Sequence, residues 1–179
     1  MRDAIYFIAL LPPEEIRKEI SIFQNYAAKA FDSSHALKSP PHITIFPPFK
    51  WNDGEEGQLT NAVEEIAGRR DKFYIQLNNF QTFAPKVIYI DVEDNSELRR
   101  LHQDTISKMY MSFELENKSP HQFNPHVTVA FRDLKRNFFL KAWSHFASAK
   151  YERAFQADRI ALLKHEDNKW NIVEEFLLN

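Results

Sequence analysis

The 179-residue chain contains no cysteine. A disulfide framework and thiolate chemistry are therefore both excluded. Its three glycines make no phosphate cradle of backbone amides, since neither G-x-x-x-x-G-K-[ST] nor G-x-G-x-x-G occurs. If the chain holds phosphate, it must do so with side chains. A strong charge of either sign is also missing. A net charge of −2 argues against a broad electrostatic footprint on nucleic acid or an anionic membrane. Long apolar runs are absent as well. "AIYFIALL", residues 4 to 11, is far short of the roughly 20 residues that cross a bilayer, and no small-residue cleavage site follows it. There is no H-E-x-x-H. These absences lead us to expect a soluble, cytoplasmic protein with no membrane association. The 44% hydrophobic content suits a single domain over residues 1–179, or two small lobes sharing one core.

What is present is a regular alternation of strand and helix patterns. "AIYFIALL" reads as a buried strand stopped by Pro12-Pro13, and residues 13 to 31 as an amphipathic helix with Glu14 and Glu15 at its N-terminal end. "HITIF", 42 to 46, is β-branched and alternating, with Pro47-Pro48 expected to end it. A helix is expected over 55 to 70, strands over 72 to 80 and 86 to 93, and a helix over 95 to 113 capped by Asn95 or Ser96. A strand at 126 to 131, a helix at 134 to 149 and three strands then close the chain. Such a pattern implies an α+β fold. The order also repeats. "AIYFI" and "VIYID" are offset by 83 residues (87 − 4), and two histidine-bearing strands by 84 (126 − 42). One unit used twice explains both offsets.

The repeat carries a motif. "SPPHITIF" places His42 and Thr44 after proline, and "NPHVTVAF" places His126 and Thr128 the same way. Of the other five histidines, His35, His102, His145 and His165 lack both the proline and the threonine, and His121 has the proline alone. Along a strand, residues i and i+2 share a face. Each His therefore emerges beside its Thr, while Ile43, Ile45, Val127 and Val129 face the core. Imidazole titrates near neutrality and serves as base or acid, and two of them can divide those roles. Hydroxyls and protonated imidazoles donate well to phosphoryl oxygens. The set suits in-line displacement at phosphorus. One His takes the proton of the entering group and the other protonates the leaving oxygen. This requires the two reactive nitrogens roughly 5 to 8 Å apart across a cleft, with a backbone or carboxylate acceptor holding each second ring nitrogen. Two structural histidines at strand ends are the competing reading. A zinc site is disfavoured, because no third ligand stands at a suitable spacing.

These motifs resemble those of the 2H phosphoesterase superfamily, in particular its 2′–5′ RNA ligase-like or RNA 2′,3′-cyclic phosphodiesterase branch. "FAPKVIYIDV" (83 to 92), "LRRLHQDT" (98 to 105) and "FNPHVTVAF" (123 to 131) are similar to segments of that branch. The resemblance implies a duplicated, two-lobed α+β fold, with antiparallel sheets flanked by helices around a central cleft. It implies a hydrolase that needs no metal or other cofactor and acts on an RNA end or a small cyclic nucleotide. It carries His42 and His126 over as catalytic residues, and Thr44 and Thr128 as substrate-binding ones. "FPPFKW", 46 to 51, departs from the family's usual short apolar-Gly continuation.

Further candidates follow from residue type. Phe46, Phe49, Trp51 and Phe131 could stack a nucleobase at the cleft mouth. Lys86 and Arg132 could contact phosphate. His121 lies in a loop near the second motif. The alternative from another class is a non-catalytic RNA- or nucleotide-binding module that retains the cleft.

Overall fold

The structure is a computed structural model that describes residues 3–118 and 122–179. His121 lies outside the described residues. Among the described residues, four α-helices flank one open antiparallel sheet of eight strands, an α+β arrangement as expected. The elements are β1 (Asp3–Leu10), α1 (Glu14–Phe31), β2 (Ile43–Asn52), α2 (Glu56–Ala67), β3 (Phe73–Phe83), β4 (Val87–Val92), α3 (Ser96–Phe113), β5 (His126–Ala130), α4 (Arg136–Ser148), β6 (Glu152–Ala157), β7 (Arg159–Glu166) and β8 (Lys169–Leu177). Short 3-10 turns at His35–Lys38 and Asp53–Glu55 join them. Asn95 caps α3 by accepting from the Leu98 amide at 3.0 Å.

The strand order is β6-β3-β4-β5-β2-β1-β7-β8. Four strands lie on each side of the β2–β5 junction. β1 and β4, the strands that lead into α1 and α3, hold matching places beside the central pair. The helices cross over: α1 packs on β5 and α4, while α3 packs on β2 and α2. Each half is thus built partly from the other half's sequence, and that ties the halves together.

One face of the sheet carries the main core. Tyr6, Ile8 and Leu10 of β1 and Ile43, Val127 and Val129 of the central strands meet Ile20, Val63, Leu101 and Phe146 from the four helices. β1 is also buried on its other face, where Phe7, Ala9 and Leu11 pack with Ala161, Leu163 and Trp170. Burial on both faces is why this strand reads as a continuous apolar run.

β2 differs from the expectation. It runs on through Pro47-Pro48 to Asn52. Thr44 lies across from Ala9, Phe46 across from Ile8 and Phe49 across from Tyr6. β2 therefore carries one extra residue between Thr44 and Phe46, and another where the prolines sit. Bulges are where a strand tolerates residues that cannot donate to the ladder.

Candidate functional site

The two motifs meet at the centre of the sheet. β2 and β5 share one paired position, Ile43 with Val127. Extending that antiparallel register by one residue each way sets His42 across from Thr128 and Thr44 across from His126. Neighbours of this kind stand about 5 Å apart, and the diagonal His42–His126 pair about 7 to 8 Å. Ile43 and Val127 are fully buried on the helix side, so all four motif side chains project from the opposite face. His42, Thr44, His126 and Thr128 together line one cavity of about 420 Å³. Neither threonine hydroxyl has a hydrogen-bond partner among the described residues.

Both imidazoles are held identically. His42 Nδ1 lies 2.8 Å from the Pro40 carbonyl, and His126 Nδ1 lies 2.8 Å from the Asn124 carbonyl. A carbonyl only accepts, so each Nδ1 carries the proton and donates it. Nε2 is then left as a bare acceptor on the cavity side of each ring. The proline between carbonyl and histidine explains the local geometry. Pro41 and Pro125 fix their own φ and restrict the preceding residue to extended backbone. That presents the carbonyl at i−2 to Nδ1 in both strands.

The two rings differ in surroundings. His42 packs against Phe7 at 4.8 Å, with Trp170 edge-on to Phe7 at 4.6 Å. Burial pushes its pKa down to about 4, against the Pro40 hydrogen bond, which raises it, and with His126 lowering it further. His126 lies between Tyr89 at 5.1 Å and Phe83 at 5.2 Å. Burial lowers its pKa as well, but the Asn124 carbonyl and the Asp91 carboxylate both raise it. Asp91 is its cross-strand partner on β4.

Of the remaining candidates, Phe131 and Arg132 line the cavity, with the Arg132 guanidinium 5.3 Å from the Phe131 ring centroid. Arg132 is exposed and has a positive φ of 59°. Phe46 is corrected: it is 1% exposed, within the helix-side core. The bulge after Thr44 shifts the alternation by one residue and turns it away from the cleft. Phe49 and Trp51 likewise pack at the core's margin, Phe49 on Phe46 and Trp51 on Phe113. Lys86 is not among the residues that line the cavity. It stands exposed in the turn between β3 and β4, while Phe83 and Val87 on either side of that turn do line the cavity.

The structure adds residues that sequence reasoning missed. Phe7, Gln24, His35 and Trp170 also line the cavity. Gln24 is 3% exposed and donates to the Thr128 carbonyl at 2.9 Å. Asp133 ties the 35–38 turn to the end of β5, accepting from Ser33 Oγ at 2.9 Å and from the amides of Ser34 and His35 at 2.8 Å each. A second cavity of about 830 Å³ adjoins the first and shares Thr44, Phe83 and His126 with it. Among the described residues, no cluster of three or more His, Asp or Glu suits a metal, and no helix is long and apolar enough to cross a membrane.

A sheet whose two central strands each present a proline-anchored histidine and a threonine to one cavity defines a paired-histidine cleft protein. The profile of the 2'-5' RNA ligase superfamily matches residues 12–169. The chain belongs to this superfamily, within the 2H phosphoesterases. Among curated relatives, a Bacillus licheniformis protein is 33% identical over 97% of this chain and 98% of its own length. A Geobacillus protein is 32% identical over 97% and 95% respectively. Both carry the name "Putative phosphoesterase". Two solved structures share the fold: TT0787 of Thermus thermophilus, with a TM-score of 0.73, 16% identity and 97% of each chain covered, and apo LigT of E. coli, with a TM-score of 0.68, 16% identity and 100% and 99% covered.

Proposed function

We propose that the cleft is the reaction centre of a metal-independent phosphoesterase that acts on 2′,3′-cyclic phosphate or 2′–5′ linkages of RNA or nucleotides. The chain is one domain of two pseudo-symmetric lobes, each supplying one Pro-His-x-Thr strand. The observation that carries the reading is the matched anchoring of both Nδ1 atoms, which turns two Nε2 atoms and two threonine hydroxyls toward one cavity. The phosphoesterase names of the relatives and the 3'-AMP found in a LigT structure of the same fold agree with it.

The asymmetry of the rings divides the roles. His42, held neutral by burial, is the base. His126, beside the Asp91 carboxylate, is the acid. An anionic phosphoryl group between them favours the imidazolium of His126. Water gives a proton to His42 Nε2 as its oxygen bonds to phosphorus. The bond from phosphorus to the 2′ oxygen breaks, and that oxygen takes the proton of His126 Nε2. Thr44 and Thr128 donate to the non-bridging oxygens, where charge develops.

The test is turnover of nucleoside 2′,3′-cyclic phosphates with and without a strong chelator, with the position of the product phosphate determined. Full activity in chelator is expected. Loss of activity rescued by Zn²⁺ or Mn²⁺ overturns the metal-free chemistry. Binding without product from pH 5 to 8 favours the non-catalytic nucleotide-binding module instead.

A further inference from the structure

Gln24 is the polar residue in the buried stripe of α1, which otherwise runs through Ile16, Ile20, Ala27 and Phe31. An amide at such a position costs free energy unless its hydrogen bonds are met. The side chain is 3% exposed and donates one N–H to the Thr128 carbonyl at 2.9 Å. A carbonyl only accepts, so this bond settles which end of the amide is nitrogen. Oε1 is then a fixed acceptor beside Thr128, with no partner among the described residues. It is not sealed off, since among those residues Arg17 Nε alone is both enclosed and without a partner. The bond to Thr128 explains the nitrogen of Gln24 but not its oxygen.

Gln24 stands on the His42 side of the site. It lines the cavity of about 420 Å³ together with His42 and Thr128, whereas none of the three lines the larger cavity. It also borders a groove of about 270 Å³ with Pro40 and Pro41, the segment that anchors His42. The register sets Thr128 across from His42, about 5 Å away, a gap that one water bridges. The charge of a lone acceptor limits what it can hold there. It repels phosphoryl oxygens, so it does not bind the phosphate; it needs an O–H or N–H. The entering water has two O–H groups. One turns to His42 Nε2 while the oxygen lone pair meets phosphorus, and the other needs an acceptor of its own. The threonine hydroxyls donate to the phosphoryl oxygens, and His35 and Ser39 at the rim are only half-buried.

We propose that Gln24 Oε1 accepts the second O–H of the attacking water and so selects water over an alcohol as the nucleophile. The proposal rests on the phosphoesterase reading of the cleft. Water gives one proton to His42 Nε2, and its oxygen bonds to phosphorus as the bond to the 2′ oxygen breaks. His126 Nε2 protonates the departing oxygen. The second water proton stays on the new phosphate hydroxyl, hydrogen-bonded to Oε1. An alcohol has only the proton that His42 takes. Its carbon then faces Oε1 and leaves a buried acceptor unmet. Gln24 therefore steers the cleft toward hydrolysis and away from transfer of the phosphoryl group to a hydroxyl.

Competition between water and methanol for a nucleoside 2′,3′-cyclic phosphate tests this. The ratio of methyl ester to monophosphate is read by chromatography within each sample, so a smaller folded fraction cancels. The wild-type protein is expected to form the methyl ester in about tenfold lower proportion than free imidazole does at the same pH and methanol content, the factor that one hydrogen bond provides. Gln24→Met has a similar shape and no such acceptor, and is expected to raise the ratio about tenfold through slower hydrolysis. Gln24→Glu keeps an oxygen in place. It is expected to hold the ratio within about twofold of the wild-type value, although its charge, facing the phosphate, slows both reactions. A wild-type ratio equal to that of imidazole overturns the proposal without any variant. An unmoved ratio in Gln24→Met does the same, because a residue that only props the Thr128 carbonyl slows both reactions alike. So does a ratio raised as far in Gln24→Glu as in Gln24→Met. In each of these cases the cyclic phosphate is still turned over, and the phosphoesterase activity stands. No product from the wild-type protein removes that activity and, with it, the role of Gln24.

Discussion

Asp91 on β4 lies directly across from His126 on β5, whereas His42 packs its ring on Phe7. Two residues with the same motif and equivalent carbonyl anchors, on the two paired central strands, thus sit in different electrostatic surroundings. In the proposed mechanism this difference separates the acid from the base, and the separation is measurable.

The first expectation is a bell-shaped pH profile displaced to the acidic side. A base must be neutral, so the acid limb of kcat/KM falls near the His42 value of about 4. An acid must be protonated, so the alkaline limb falls at the His126 pKa, which lies below the ordinary 6.5. The optimum in kcat/KM therefore lies below pH 6.5. Asp91→Asn removes a group that raises His126, so the alkaline limb moves to lower pH and the acid limb stays. Movement of the acid limb instead would reverse the two roles.

The pair should also fail as a unit. His42→Ala and His126→Ala are each expected to cost several powers of ten in kcat, and the double variant little more than the worse single one. Steady-state rates of the three proteins check this. Losses that add on a logarithmic scale would mean that the two imidazoles do not serve one phosphorus.

These motif residues were legible in the sequence because a strand's period of two survives from sequence to structure wherever the ladder is regular. His42, Thr44, His126 and Thr128 share one cavity for that reason, and the order of strands and helices follows the same periodicities. Phe46 was not legible. The extra residue after Thr44 has no sequence mark beyond the two prolines that follow it, and it turns Phe46 to the opposite face before the second extra residue, at the prolines, restores the alternation. The crossing of α1 and α3 to the opposite halves was hidden as well, since an amphipathic helix announces an apolar stripe but not the sheet that covers it. Trp170 comes from a segment far from either motif, and only the tertiary fold brings it to the cavity that His42 lines.

The histidines also tie stability to pH. His42 titrates near 4 when folded and near 6.5 when unfolded, so the unfolded chain binds the proton first as pH falls. The contribution is fully present above pH 6.5 and is lost progressively down to about pH 4. Its size is on the order of 3 kcal/mol at most, and solvent reaching the half-buried ring reduces it. Urea unfolding at pH 7 and pH 4.5 should show His42→Gln losing less stability on acidification than the wild-type protein. Equal losses in both proteins would mean that His42 is not desolvated in the fold.

The prolines of the motif are expected to act as positioning residues. Each sets the carbonyl at i−2 that fixes the histidine tautomer. Pro125→Ala frees φ at 125 and lifts the restriction on Asn124, so the Asn124 carbonyl no longer holds a single direction. The same reasoning applies to Pro41→Ala and the Pro40 carbonyl. Stability should fall by only about 1 kcal/mol, chiefly through the greater freedom of the unfolded chain. Activity should fall further, by roughly ten- to a hundredfold in kcat with a smaller change in KM, because a misdirected imidazole costs more in the transition state than in binding. The ring ¹⁵N shifts supply the readout that a merely structural role would not move. The wild-type protein should show each histidine with its proton on Nδ1, and each proline variant a mixture of tautomers at the histidine it precedes. A variant with reduced kcat but an unmixed Nδ1–H signal would separate the proline from the tautomer and remove this explanation of the repeated Pro-His-x-Thr.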